Sequence, residues 1–257
     1  MFKKILSSIG IGAAKVDTRL NESHCIPGGE LTGVVHIEGG SVEQSVDSIY
    51  LFFNTLYKHE VNDKSTYSTF TIEKILLNEA PFMIGPGEVK EIPFTVNVPF
   101  NTPLSVSQSK SWIETGLDIA QAVDPKDEDA ITVQPNAAQQ VILDAMDELG
   151  FRLKKADTEM LPARHRSGRL PIAQELEYSA NGSRFGRQLD EVEVVILQEE
   201  GSIELLIQVD RSVHDLGSLF ADLTGSDEST HRVRYDVARL SVAEVRRDIE
   251  SMIEQSI

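Results

Sequence analysis

Apolar and polar side chains alternate with a period of two in run after run of this chain, and nearly every run ends at glycine or proline. Leu31, Gly33, Val35 and Ile37 fall on one face of such a run, and Ile92, Phe94, Val96 and Val98 on one face of another. A period of two marks a strand with one buried face. Further runs cover residues 14–20, 46–58, 67–77 and 111–123. Between them stand Pro27-Gly28-Gly29, Gly39-Gly40 and Gly85-Pro86-Gly87-Glu88, which read as turns. Pro93 and Pro99 fall at strand ends or edges, where a missing N–H is tolerated. Many short strands, with no strand–helix alternation among them, specify a β-sandwich for the first half.

The acidic run Asp124-Pro125-Lys126-Asp127-Glu128-Asp129 reads as a linker. Residues 136–149 then read as a helix, with Val141, Ile142, Ala145, Met146 and Leu149 on one stripe and Gly150 at its stop. The chain is accordingly divided into residues 1–134 and 135–257. Strands return over 151–160, 172–178, 191–197 and 203–209, the last two joined by Glu199-Glu200-Gly201-Ser202 as a hairpin. Asn181-Gly182 is a turn dipeptide, 216–223 one or two helical turns, and 231–237 a further strand. Ser241 and Glu244 have capping-box spacing, and Val242, Val245, Ile249, Met252 and Ile253 line the helix they open.

At the start of the chain, Phe2, Ile5, Leu6 and Ile9 recur at helical spacing with Lys3 and Lys4 off the stripe. This predicts a short amphipathic helix. Ser7, Ser8, Gly10 and Gly12 break its apolar run, so it is expected to belong to the mature fold and not to a signal peptide. It either covers one end of a sheet core or docks on a partner or a membrane surface. No segment approaches the roughly 20 apolar residues of a membrane span.

The 257 residues carry a net charge of −17, with 10 basic against 18 acidic residues up to residue 135 and 14 against 23 beyond it. Such a surface repels phosphate backbones, so no nucleic-acid partner is expected. A single cysteine, Cys25, excludes an internal disulfide, argues against a cysteine-based zinc site and fits the reducing cytoplasm. No cofactor is expected. The P-loop pattern is absent, and Gly10-Ile11-Gly12-Ala13-Ala14 lacks the preceding strand and third glycine of a dinucleotide loop. No metal is expected either. The six histidines include no pair at i, i+4, and residues 124–129 lack the alternation of a calcium loop. There is no G-x-S-x-G, and His24 beside Cys25 would point to the opposite face of a strand. No catalytic residue is assigned.

One basic cluster stands out. Arg164, His165, Arg166 and Arg169 fall within six positions, and Arg184 and Arg187 flank the Asn181-Gly182 turn. If these loops meet, they form a cationic patch for a carboxylate or phosphate. The alternative is a solvated loop pairing with the chain's own acids.

Several phrases resemble the bacterial sporulation-control protein M family. They are residues 2–6 and 8–18, Pro27-Gly28-Gly29-Glu30-Leu31-Thr32-Gly33, Val42-Glu43-Gln44 with residues 47–51, and residues 87–94. Thr115-Gly116-Leu117-Asp118-Ile119, residues 122–125 and residues 148–153 continue the match, which runs in order from residue 2 to about 215. The resemblance implies a mainly β, arrestin-like fold. It implies two tandem β-sandwich domains, with short N-terminal, interdomain and C-terminal helices. It also implies an intracellular regulator of sporulation, stress response or cell cycle, with no catalytic residues. The expected function is that of a non-enzymatic cytoplasmic adaptor whose partners are other proteins, with a homodimer open to it. Its candidate contacts are Arg164, Arg166, Arg169, Arg184, Arg187, Phe2, Ile5, Leu6 and Ile9. The alternative is a membrane-peripheral scaffold making weak contact through residues 2–9.

Overall fold

A computed structural model describes residues 13–61, 64–78, 80–119, 125–161, 166, 169–210 and 230–257. The first half forms nine strands among the described residues. They are β1 (Lys15–Leu20), β2 (His24–Cys25), β3 (Glu30–Glu38), β4 (Gln44–Val61), β5 (Lys64–Leu76), β6 (Phe82–Ile84), β7 (Val89–Asn97), β8 (Ser111–Ile119) and β9 (Lys126–Val133). One sheet has the order β1-β3-β7, and the other β2-β9-β8-β4-β5 with β6 also beside β4. The two inner faces share one core, in which Leu31, Val35, Ile37 and Val96 meet Ile49, Leu51, Phe53, Ile113 and Leu117. Each side chain buried there contributes about 1.5–3 kcal/mol. This is the sandwich expected from the alternation.

The acidic run expected as a linker is instead β9, from Lys126 onward. Ile131 and Val133 are buried, and before them exposed Lys126 and Glu128 alternate with half-buried Asp127 and Asp129. Asp127 accepts from the Thr18 backbone N–H at 2.6 Å, and Lys126 pairs with Glu114 on β8 at 2.6 Å. A strand with one solvated face carries the same composition as a linker; the partners that order it come from elsewhere in the chain. Glycine at 39 has a tighter cause than its turn. A Cβ there would lie 1.9 Å from the Gly85 carbonyl oxygen, because the β3–β4 and β6–β7 connections press backbone to backbone.

The second half opens with α1 (Ala137–Glu148) and continues through β10 (Arg152–Met160), β11 (Ile172–Ser179), β12 (Glu191–Glu199), β13 (Ser202–Asp210) and β14 (Thr230–Asp236) to α2 (Val242–Ser256). Asn136 caps α1 by accepting from Ala138 and Gln139 N–H groups at 3.1 and 3.0 Å, while the Gln139 side chain accepts from Asn136 N–H at 3.0 Å. Gly150 follows with φ +84°, a conformation that favours glycine. Ser241 caps α2, as its spacing to Glu244 predicts. The five strands form one antiparallel sheet in chain order. One face, with Leu176, Val192, Val194, Ile203, Leu205 and Ile207, shares a core with Ile142 and Met146 of α1 and Val245, Ile249 and Ile253 of α2. The mainly β class is therefore as expected, and among the described residues the layer facing this sheet is helical. The amphipathic segment 2–9 and the helical turns at 216–223 lie outside the described residues. No described helix is long and apolar enough to cross a membrane.

Candidate interaction site

The basic residues picked out in the sequence take separate places. Arg169 sets its guanidinium between two carboxylates of the β12–β13 hairpin, 2.8 Å from Glu199 and 3.1 Å from the buried Glu204. Arg232 and Arg234 of β14 pair with the same two acids. Arg184 pairs with Glu250 and Glu254 of α2 and lies 4.6 Å from the Phe185 ring centroid. The helices cover one face of the sheet and Glu204 points to the other, so Arg169 and Arg184 stand on opposite sides. Arg166 is exposed and donates from Nε to the Leu161 carbonyl at 2.5 Å, and Arg187 is exposed. Arg164, Phe2, Ile5, Leu6 and Ile9 lie outside the described residues. The chain's own acids supply close partners to Arg169 and Arg184 and hold these two apart.

The first half offers surfaces that residue type alone does not reveal. Among the described residues β5 has only β4 as a strand neighbour, and β7 only β3. These two edges flank an open cleft of about 610 Å³ lined by Gly28, Gly29, Glu30, Glu73, Ile75, Thr95, Asn97 and Pro99. Glu30 and Glu73 are both exposed in it. A second concavity of about 460 Å³ lies on the outer face of the six-stranded sheet, over Tyr50, Phe52 and Gly116. Its aromatic floor is covered by this chain's own lysine, with Lys74 Nζ 4.1 Å from the Tyr50 ring centroid and 5.3 Å from that of Phe52.

Polar side chains join the two halves. The Asn136 amide donates to the Pro27 carbonyl and to Gln198 Oε1, both at 2.9 Å, while its oxygen caps α1. Asn101 Oδ1 accepts from the Gln198 backbone N–H at 2.8 Å. The Gln174 amide both accepts from and donates to the Leu104 backbone, at 3.0 and 2.9 Å. Elsewhere the β4–β5 hairpin reaches past β8 to β10. There Lys58 lies 3.3 Å from Asp157 and 3.0 Å from Glu159, and Tyr67 donates to Asp157 at 2.7 Å. Burial by itself would lower the Lys58 pKa, but the hydrogen bond to Glu159 and the charges of Glu159 and Asp157 outweigh it and hold the ammonium above its ordinary value. Burial likewise opposes ionisation of Asp157, yet bonds from Lys155 and Tyr67 keep its carboxyl below the usual range. No local pattern announces these bonds between the halves, because their two partners lie 62 to 109 positions apart in the chain.

Two titratable groups give direct tests. Cys25 is buried, and burial pushes its thiol up to about 11. It is expected to resist iodoacetamide in native protein at pH 8 and to react once urea unfolds the chain; mass spectrometry reads both. Asp129 has one oxygen, Oδ2, buried without a hydrogen-bond partner. Burial, then the charge and hydrogen bond of Asp127, then the charge of Asp17 push its carboxyl up from 3.8 to about 6. Between those values the folded chain binds the proton that the unfolded chain has lost, so stability falls as pH rises through that window. Asp129→Asn is expected to be more stable than wild type at pH 7 and to lose this pH dependence. Urea midpoints at pH 4 and pH 7 check it. Among the described residues no three of His, Cys, Asp and Glu gather into a metal-sized group.

Comparison with known proteins places this architecture. The model of the Spo0M family, described as SpoOM protein, matches residues 2–213. The chain belongs to the Spo0M family. Among Spo0M relatives, the sporulation-control protein of Bacillus subtilis (strain 168) is 35% identical over 254 residues, covering 99% of this chain and 96% of that one. The crystal structure of the Bacillus subtilis Spo0M sporulation control protein matches with a TM-score of 0.87 at 34% identity, over 96% of this chain and 100% of that one. The arrestin-like reading of the fold stands with this match, and the named role of the Spo0M relative is sporulation control.

Proposed function

We propose that this protein is a non-enzymatic cytoplasmic regulator in the control of sporulation, stress response or cell cycle, acting as an adaptor that binds other proteins. The observation that carries the reading is the edge of β5, which among the described residues has no second strand neighbour and borders one open cleft. Main-chain groups on a free edge are ready to pair with another chain. Family membership supports the sporulation side of the reading.

Affinity capture from native lysate with the full chain tests it. A saturable set of partners, absent from an unrelated protein of equal net charge, is the expected result. No such set overturns the adaptor reading. An Arg164/Arg166/Arg187→Glu variant tests the basic residues as contacts. Arg169 is left intact in that variant, because a carboxylate at 169 would sit against Glu199 and Glu204 and disturb the sheet.

A further inference from the structure

Each sheet in this protein ends in two edge strands, and most of these edges carry a device that discourages pairing. β1 lies against β9, where Thr18 N–H bonds Asp127 and the Thr18 and Thr115 hydroxyls meet at 2.6 Å. β2 is two residues long. β7 carries Pro93, which has no N–H to donate. β10 carries Arg152, Lys154 and Lys155 with an irregularity in register between 153 and 155. β14 carries His231, Arg232 and Arg234. Short length, proline, charge and bulges are the usual ways an edge is kept from pairing.

β5 is different over Ser65-Thr66-Tyr67-Ser68-Thr69-Phe70-Thr71. The stretch has no charge and no proline, and it pairs with β4 residue for residue. Its register shifts only beyond Thr71, where Ile72 is an extra residue. Threonine, tyrosine and phenylalanine favour the extended backbone. In an antiparallel pair every second residue turns both its N–H and C=O away from its partner, so three or four residues here offer both groups outward. β10 does not take them: it meets the face of the hairpin, where the cross-strand neighbours Lys58 and Tyr67 both reach Asp157.

We infer that this edge of β5 accepts an extended peptide as an added strand, and that the peptide carries a cationic side chain at the end lying over the Glu30–Glu73 cleft. The inference rests on the adaptor reading and names the class of partner. Charge fixes the second part. Glu73 follows the straight stretch on β5 itself and shares the cleft with Glu30, and among the described residues neither has a cationic partner. Seven residues of strand extend roughly 23 Å, at 3.3 Å each, enough for main-chain bonds along the straight stretch with the charge contact at its end. The surplus negative charge of the chain steers a cationic peptide toward it.

The test uses the full chain and four fluorescein-labelled nine-residue peptides. These are alternating valine and threonine ending in two lysines, the same core ending in two glutamates, and N-methylated forms of both. The lysine peptide is expected to bind saturably by anisotropy, at least tenfold more tightly than the glutamate peptide, with slowed amide exchange confined to residues 64–76. N-methylation, which removes the main-chain donors, is expected to abolish binding. Thr69→Pro is expected to abolish it too. A Glu30→Lys/Glu73→Lys variant, whose exposed sites leave folding intact, is expected to reverse the preference toward the glutamate peptide. No saturable binding, equal binding of the N-methylated form, protection elsewhere in the chain, or pairing of β5 with a second copy of the protein each overturns the inference. Partner capture that persists unchanged with Thr69→Pro would sink the edge proposal and leave the adaptor reading standing; loss of capture by wild type itself would sink the adaptor reading.

Discussion

Asn136→Ala is expected to lower stability by about 3–7 kcal/mol and to split one unfolding transition into two. Three roles fall together at this residue. Its oxygen caps α1, and loss of such a cap costs about 1 kcal/mol. Its amide nitrogen satisfies the Pro27 carbonyl and Gln198 Oε1, both in buried surroundings, and each acceptor left bare costs about 1–3 kcal/mol. Pro27 belongs to the sandwich and Gln198 to β12, so the same bonds hold the two halves in register. Asn136→Asp separates the roles. It keeps the cap, gains from negative charge at a helix N-terminus, and loses both donors. An intermediate loss for Asn136→Asp, with two transitions by calorimetry, supports this account. A loss equal to that of a cap alone, about 1 kcal/mol, would remove the junction from it.

Gly39→Ala carries the second large effect. The added carbon would stand 1.9 Å from the Gly85 carbonyl oxygen, far inside contact distance. The neighbours cannot give easily, since Gly39 N–H donates to the Glu88 carbonyl at 2.8 Å and Gly87 N–H donates to the Gly39 carbonyl at 3.0 Å. Moving one turn away breaks both bonds. The expected cost is about 3 kcal/mol or more, at the upper end of overpacking, and a fall in Tm of about 6–12 °C for a chain of this size. Gly85→Ala is the control. Its added carbon meets only the far end of the Glu88 side chain at 3.2 Å, so its expected cost is under about 1.5 kcal/mol. Similar losses for both variants would refute the backbone-contact explanation.

The period-two runs located most strands of the sandwich because one solvated face writes itself into the residue order. The apolar stripe ending at Gly150 located α1, and the Ser241–Glu244 spacing located α2, for a similar reason: in both, the residues that matter are a few positions apart. β9 escaped because its ordering partners, Thr18 and Glu114, are remote and its own charges read as solvated chain. The arginines misled in the opposite sense. Nearness in sequence says nothing of which carboxylate each will find, and Arg169 found Glu199 and Glu204 while Arg184 found α2. Edge status was equally hidden. The residues of β5 specify a strand, but whether a strand has one neighbour or two is settled by the order of the whole sheet.

The β4–β5 hairpin extends past its own sandwich to meet a half of the chain that has not yet been made when it emerges from the ribosome. Lys58 and its partner Glu159 are 101 positions apart. At about 5–20 residues per second, the outer end of the hairpin waits roughly 5–20 s of synthesis before β10 exists to receive it. Throughout that interval Lys58 and Tyr67 lack the carboxylates of β10, so the outer end of the hairpin is held by its own β4–β5 pairing alone.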